Sequence, residues 1–157
     1  MNYLKMVGVF FGACLVHWGW NSYFPVWGLT PQPLLVMTIV IASRLGPIAA
    51  MSYGFAWGLF LDFFDVHIFG SKALALILIG YGVGSLRRQV DVSGFAPLCV
   101  MVFFLTWAYF LSTGILGMVF LKDFLWVGWK PFLCDPFYNC LIIPLAYKAC
   151  DSMGARA

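Results

Sequence analysis

Residues 54–88 read GFAWGLFLDFFDVHIFGSKALALILIGYGVGSLRR, and this segment decides the fold. Its first half is an apolar run with small residues at regular steps, which ends at Asp62 and Asp65. A short polar turn follows, and a second, glycine-rich apolar run then ends at the basic pair Arg87-Arg88. Two membrane-crossing helices joined by a short turn have this pattern. The same reasoning extends to the rest of the chain.

The composition of the whole chain is typical of a membrane protein. Of its 157 residues, 63% are hydrophobic and 10% are charged, and the mean hydropathy is +0.94. Soluble domains carry about 25% charged residues, so this chain has too few polar side chains to cover itself in water. At about 20 residues per crossing, its length admits five or six transmembrane helices and no separate soluble domain. We predict an all-α polytopic membrane protein, a bundle of about six transmembrane helices in a single integral membrane domain that covers residues 1–157.

The alternation of apolar runs and polar breaks predicts where the spans lie. The second span is the least regular, because its clean apolar run, Leu34–Ser43, is too short for a hydrocarbon core of about 30 Å and is preceded by prolines. We expect this helix to be short, tilted or partly irregular where other helices shield it. The predicted spans are at about residues 4–22, 28–43, 45–64, 70–86, 95–121 and 132–149.

The basic residues predict the orientation in the membrane. All four arginines and two of the five lysines fall at one end of the predicted bundle, which is the excess expected of a cytoplasmic face. Both termini are therefore predicted to be cytoplasmic. Five of the seven tryptophans fall at the opposite end, where a belt of aromatic rings at the headgroup level agrees with this orientation. At the cytoplasmic face, Arg44, Arg87 and Arg88 anchor the spans to lipid headgroups or, alternatively, dock a cytoplasmic partner.

Small residues recur every four positions in the third predicted span, and Asp62 occupies the next step. At 100° per residue, Gly54, Gly58 and Asp62 lie on one face of a helix. Gly80 and Gly84 repeat the spacing in the fourth span. Such residues let two helix backbones approach closely in lipid. Either close packing within the bundle or a groove that receives a helix of another protein explains the row.

Asp62 itself is an acid within an apolar helix, and exposure to lipid would be costly, about 2.5–3.5 kcal/mol at a helix centre. We expect it near the outer end, facing the bundle or a wet cavity. In the structural interpretation its carboxylate accepts hydrogen bonds from a neighbouring helix or loop around Gly70 and Ser71. In the functional interpretation it lines a pocket for a ligand or partner. Asp65 and His67 are expected to be solvated loop residues.

Asn139 lies five residues before Pro144 in the last predicted span. An asparagine in a transmembrane helix usually bonds to another helix, and proline frees a backbone carbonyl one turn earlier. The pair predicts a kinked helix with a polar inner face. There Asn139 is either a structural lock or a ligand contact.

Catalytic, metal and nucleic-acid sites are not indicated. The chain has no glutamate and two histidines, and it lacks the nucleophile elbow, the phosphate loop and the zinc-protease motif. Its five cysteines form no C-x-x-C pair, so they are expected to be small hydrophobic residues without a disulfide or metal framework. No basic cluster exceeds the Arg87-Arg88 pair, which argues against nucleic-acid binding. We predict a protein that is not an enzyme and binds no cofactor and no metal.

The chain resembles one known family, the rod shape-determining protein MreD. Its length and number of spans are similar to those of the family, while the first, second and fifth spans match in hydropathy alone. The matching motifs are Gly54-Phe55-x-x-Gly58-Leu59-x-x-Asp62, then Gly70 with Ala73-Leu74, then Gly80-Tyr81 before the basic pair, and finally Asn139 with Pro144.

The resemblance implies a component of the bacterial cell-elongation (rod) machinery in the cytoplasmic (inner) membrane. Such a component binds MreC, a single-span protein with a periplasmic domain, and regulates peptidoglycan synthesis and cell shape. MreB, RodA and a class B penicillin-binding protein are the further implied partners, besides membrane lipid. The helix of MreC is expected on the glycine face, made of Gly54, Phe55, Gly58, Gly80 and Gly84.

The resemblance also implies a fold similar to the substrate-binding subunit of energy-coupling-factor transporters. That likeness supplies an alternative function, namely a small-molecule-binding subunit of such a transporter. Under the alternative, Asp62 and Asn139 face a ligand cavity.

Overall fold

The computed structural model describes residues 3–23, 29, 31–65, 68–87, 89 and 94–152, without the side chains of residues 3–6 and 152. The described residues form six helices and no strand. The fifth helix has the bounds predicted for the fifth span. The second helix begins five residues later than its predicted span, and the sixth begins three residues earlier and continues through Asp135-Pro136. The helices are α1 Tyr3–Tyr23, α2 Pro33–Leu45, α3 Pro47–Phe63, α4 Ser71–Leu86, α5 Phe95–Leu121 and α6 Trp129–Ser152.

The central helix is α2, in which every residue from Pro33 to Ser43 is buried. Its sequence is apolar on all sides, as a helix wholly inside a bundle requires. Proline stands at its first position, where a backbone N–H has no partner within the helix. Gly46, with φ +91°, ends α2 and leads directly into α3. At 13 residues α2 spans about 20 Å, so the helix is short, as expected.

The tightest contact in the bundle joins α3 to α4. A Cβ atom placed on Gly58 would lie 2.1 Å from the Cα of Ala73, and one on Gly84 would lie 2.5 Å from the Cα of Pro47. These distances are shorter than any real carbon contact, so only glycine fits at either position. The two helices therefore touch backbone to backbone at both ends of their antiparallel contact.

The outer surface of the bundle is apolar. On α6 the exposed side chains Leu133, Phe137, Leu141 and Leu145 follow one another at four-residue steps, and α1, α4 and α5 also expose large apolar side chains. Exposed apolar surface of this extent marks contact with lipid or with other proteins. Among the described residues, α5 is the one helix long and apolar enough to cross a membrane by itself, while α2 and α4 are apolar but shorter.

The two ends of the bundle differ in chemistry. At one end, here called the arginine end, Arg87 Nη1 donates to the carbonyl oxygen of Arg44 at 2.6 Å, and Arg44 pairs with Asp151. The guanidinium of Arg44 also lies 4.1 Å from the ring centroid of Tyr147. With 14% of its side chain exposed, Arg44 joins α2 to α6 through Asp151 and Tyr147. Its role as a lipid anchor or a docking residue stays a prediction. Arg88 lies outside the described residues.

Candidate functional site

The buried carboxylate of Asp62 holds the first turn of α4. Its oxygens accept hydrogen bonds from the backbone N–H groups of Gly70, Lys72 and Ala73 at 3.0, 3.1 and 3.0 Å. The hydroxyl of Ser71 lies 3.5 Å from the same carboxylate. The residue before α4 is a glycine, which has no side chain to cap the helix. Asp62 therefore supplies from α3 the acceptor that α4 lacks, through the hydrogen bonds expected of the structural interpretation.

Asn139 does for α2 what Asp62 does for α4. Its side-chain oxygen accepts a hydrogen bond from the backbone N–H of Gln32 at 2.9 Å, just before α2 begins. Its amide nitrogen donates to Thr106 Oγ1 at 3.1 Å, and Thr106 donates in turn to the carbonyl of Val102 at 2.7 Å. The asparagine is fully buried, and both ends of its amide have partners. It joins α6 to α2 and α5.

The predicted glycine face is covered from within the bundle. A Cβ atom on Gly54 would lie 3.0 Å from the carbonyl oxygen of Leu76, and one on Gly80 would lie 3.1 Å from the carbonyl carbon of Ala50. Together with Gly58 and Gly84, these glycines form the contact between α3 and α4. A partner helix would have to separate the two helices to reach them. The structure thus corrects the docking interpretation of these four glycines in favour of packing within the bundle.

Three further residues were singled out in the sequence, namely Phe55, Asp65 and His67. Phe55, the fifth member of the predicted face, is 49% exposed, whereas the four glycines are covered. Asp65 is not simply solvated, because its carboxylate lies 2.7 Å from Lys72 Nζ in a pair that is only partly exposed. His67 lies outside the described residues.

A polar cavity of about 610 Å³ occupies the end of the bundle opposite the arginine end. Its described wall comes from the end of α1, the start of α2, the end of α3, the turn after it, the start of α4, α5 and the loop that follows α5. Neither Asp62 nor Asn139 is among the described wall residues, so the cavity is not the one that the sequence placed around them. The polar wall side chains include His17, Asn21, Gln32, Thr113 and Asp123.

An apolar groove of about 660 Å³ runs between α1, α2 and α6. Gly8 and Gly12 lie on its α1 wall, and Cβ atoms built on them would meet nothing within 4 Å. Ala146 and Ala149 lie on its α6 wall. The sequence contains the Gly8-x-x-x-Gly12 spacing, but the sequence analysis did not predict this groove. It assigned the docking of a partner helix to the longer glycine row in α3 and α4.

No catalytic arrangement emerges from these contacts. The described part of the chain contains no group of three or more His, Cys, Asp or Glu side chains placed to hold a metal ion. The buried acid Asp62 is occupied by backbone donors. Asp62 and Asn139 therefore act on neighbouring helices, and the polar cavity and the apolar groove are two concave surfaces where another molecule could bind.

Comparison with known proteins identifies one family. The family model described as rod shape-determining protein MreD matches residues 2–150 of the chain. No curated protein and no solved structure gives a significant match.

Proposed function

The chain belongs to the MreD family of rod shape-determining proteins, and from this premise we propose that it is a non-catalytic membrane component of the bacterial cell-elongation complex. The family implies a role in determining rod shape, and it is a family of shape-determining components rather than of enzymes. Regulation of peptidoglycan synthesis through MreC is the finer part of the proposal. The family match over residues 2–150 carries it.

We place the protein in the cytoplasmic membrane with all six helices in the bilayer and both termini in the cytoplasm. MreD proteins are membrane proteins, and the exposed apolar faces of the outer helices support contact with lipid. The grouping of Arg44 and Arg87 at one end supports the cytoplasmic assignment of that end. The exposed rings of Trp126 and Trp129, 5.1 Å apart at the opposite end, suit an outer headgroup layer.

The groove between α1 and α6 is the surface that we assign to the transmembrane helix of MreC. Because Gly54, Gly58, Gly80 and Gly84 are already covered within the bundle, we look for another row of small residues to receive a partner helix. Gly8 and Gly12 provide one on α1, and Ala146 and Ala149 provide small residues on the facing wall. Close backbone approach at such rows stabilises helix pairs in lipid, where packing rather than water drives association.

The docking proposal is tested with Gly12→Leu, whose Cβ would meet nothing within 4 Å and whose side chain would occupy the groove. We expect the purified variant to keep its thermal stability and to lose most of its co-purifying MreC. The matched control is Gly82→Leu, because Gly82 also has nothing within 4 Å of a built Cβ but lies on α4. Normal recovery of MreC with Gly12→Leu would exclude the groove as the docking surface.

The cellular role is tested by depleting the protein from a rod-shaped host that depends on it and measuring cell width by microscopy. We expect depleted cells to widen and become round, and re-expression of the intact chain to restore the rods. An unchanged shape after complete depletion would refute the shape role.

MreB, RodA and a class B penicillin-binding protein complete the proposed complex, and the family resemblance alone supports them. The alternative function, a small-molecule-binding subunit of an energy-coupling-factor transporter, assigned a ligand cavity to Asp62 and Asn139. Both residues instead bond to the starts of neighbouring helices. We therefore do not propose the transporter function for this chain.

A further inference from the structure

The polar cavity exists because α2 is short. Since Gln32 meets Asn139 inside the bundle, α2 begins well below the end at which α1 and α3 finish. Leu34 and Leu35 at the start of α2 line the cavity together with Leu61 near the end of α3. Ligand cavities usually measure 300–1,000 Å³, and this one, at about 610 Å³, lies within that range.

Three polar atoms of the cavity wall residues are buried without a hydrogen-bond partner in the described structure. They are His17 Nδ1, Asn21 Oδ1 and Gln32 Oε1. Asn21 Nδ2 lies 3.2 Å from His17 Nε2. An amide nitrogen only donates, so Nε2 accepts and the proton of the neutral ring is on Nδ1. The wall therefore carries one donor and two acceptors without partners.

Unpaired buried polar atoms are costly, about 1–3 kcal/mol each, and native proteins contain few of them. Here three occur on residues that line a single cavity. These atoms have almost no accessible surface, so a molecule bound in the cavity would satisfy them once their side chains turn toward it. It must both donate and accept, as a hydroxyl or an amide group does and as an ammonium or a phosphate does not.

The charges of the wall disfavour an anion. The charged residues in the described wall are Asp65, Lys72 and Asp123. Lys72 is already paired with Asp65 at 2.7 Å, which leaves the carboxylate of Asp123 as the uncompensated charge. A negatively charged ligand would meet that carboxylate without a free cation among the described wall residues.

Aromatic rings complete the wall. Phe124 and Trp126 lie on the loop after α5, and the loop folds back on that helix because Gly114 leaves room for it. A Cβ atom on Gly114 would lie 2.5 Å from the Phe124 ring. Tyr109 and Phe110 add rings from α5. Flat apolar faces beside amide groups suit ligands that carry both C–H faces and hydroxyls.

We propose that this cavity binds a neutral group of sugar size that carries hydroxyls or amides, either a free solute or the headgroup of a lipid. Gln32 and Asn21 accept hydrogen bonds from the group, and His17 donates one to it. The site is separate from the MreC groove, so it adds a ligand to the proposed function without depending on that function.

The test measures thermal stabilisation of the purified protein, since a ligand that binds only the folded state raises the melting temperature. In one arm N-acetylglucosamine, which carries hydroxyls and an amide, is added to protein in phosphatidylcholine nanodiscs. In the other arm the nanodiscs contain a glucosyl diacylglycerol. Stabilisation in the first arm identifies a free solute, and stabilisation in the second arm alone identifies a lipid headgroup. No stabilisation in either arm overturns the proposal.

Gln32→Met shows whether any stabilisation arises in this cavity. Methionine keeps the shape of glutamine and removes the unpaired acceptor, so the variant should fold and bind the probe about tenfold more weakly, the loss expected for one hydrogen bond. Gln89→Met, at an exposed position beyond α4, is the control and should bind like the parent. Unchanged binding by Gln32→Met would overturn the assignment.

A second test does not depend on whether Gln32→Met folds. The parent should bind N-acetylglucosamine 6-phosphate more weakly than the neutral sugar, because Asp123 repels the phosphate. Asp123→Asn, which changes an exposed loop residue, should bring the affinities for the phosphorylated and the neutral sugar closer together. Equal affinity of the parent for both compounds would contradict the site.

Discussion

At the scale of single residues, two buried polar side chains of this protein serve as caps for helices to which they do not belong. Asp62 and Asn139 each satisfy backbone N–H groups at the start of a neighbouring helix. In lipid no water replaces such partners, so an acceptor from another helix is worth more than at a surface. The same residues that a sequence marks as site candidates are thereby used for folding.

Asp62→Ala should lower the free energy of unfolding by about 3 kcal/mol. The loss exceeds that of an ordinary cap because three buried N–H groups lose their acceptor together. The stability of Asp62→Asn should lie between those of Asp62→Ala and the parent, since the side-chain oxygen of asparagine still accepts a hydrogen bond. Thermal melting in detergent measures both variants.

The control for Asp62 is Asp123→Ala, which removes a carboxylate from an exposed position and should leave the melting temperature nearly unchanged. If Asp62→Ala melted like this control, the carboxylate would contribute nothing to α4.

Asp135→Leu should have the opposite effect, with equal or higher stability. Asp135 is fully buried, and both of its carboxylate oxygens lack a partner in the described structure. Removing an unsatisfied buried acceptor relieves a desolvation cost. A fall of several degrees in the melting temperature would instead reveal that another chain or a bound molecule satisfies the carboxylate.

Sequence reasoning reached Asp62 and Asn139 because a polar residue in an apolar helix is a local signal. It did not reach the pairing of Asp65 in the turn with Lys72 at the start of α4, since nothing in their spacing shows that the two side chains meet. His17, Asn21 and Gln32 were missed for a similar reason. Their shared cavity depends on where α2 begins in depth, which a hydropathy pattern does not determine.

At the scale of helices, the contact between α3 and α4 depends on glycine at particular positions. Gly58→Ala should destabilise the protein by about 1–3 kcal/mol, the usual cost of overpacking. Its Cβ would meet the backbone of Ala73 at 2.1 Å, and backbone cannot move aside as a flexible side chain can. Melting of the purified variant measures the change.

Gly82→Ala is the matched control within the same helix pair, because nothing lies within 4 Å of its Cβ. Alanine favours a helix over glycine by about 1 kcal/mol, so this variant should be as stable as the parent or more so. Equal behaviour of the two substitutions would mean that α3 and α4 are not in close contact.

The glycine row also shows what a sequence pattern can and cannot predict about helix contacts. Four-residue spacing correctly marked a face that another helix approaches, and the bounds of α5 followed from its long apolar run. The pattern did not show which helix covers the face, because packing within one bundle and docking of a partner require the same small residues. Gly8 and Gly12 have the same four-residue spacing as the glycines of α3 and α4, yet nothing lies within 4 Å of the Cβ atoms built on them.

At the scale of the whole molecule, the placement of α5 decides the topology. The helix has 27 residues, about 40 Å in length, which exceeds a hydrocarbon core of about 30 Å. The arginines before it and the tryptophans after it predict opposite sides of the membrane for Gln89 and Asp123. In a chain whose native cysteines are replaced, Asp123→Cys should react with an impermeant maleimide in intact spheroplasts. Gln89→Cys should react only after the membrane is opened. Reaction of both cysteines in intact spheroplasts would show that α5 does not cross the membrane. Reaction of Gln89→Cys alone in intact spheroplasts would show that the protein has the opposite orientation.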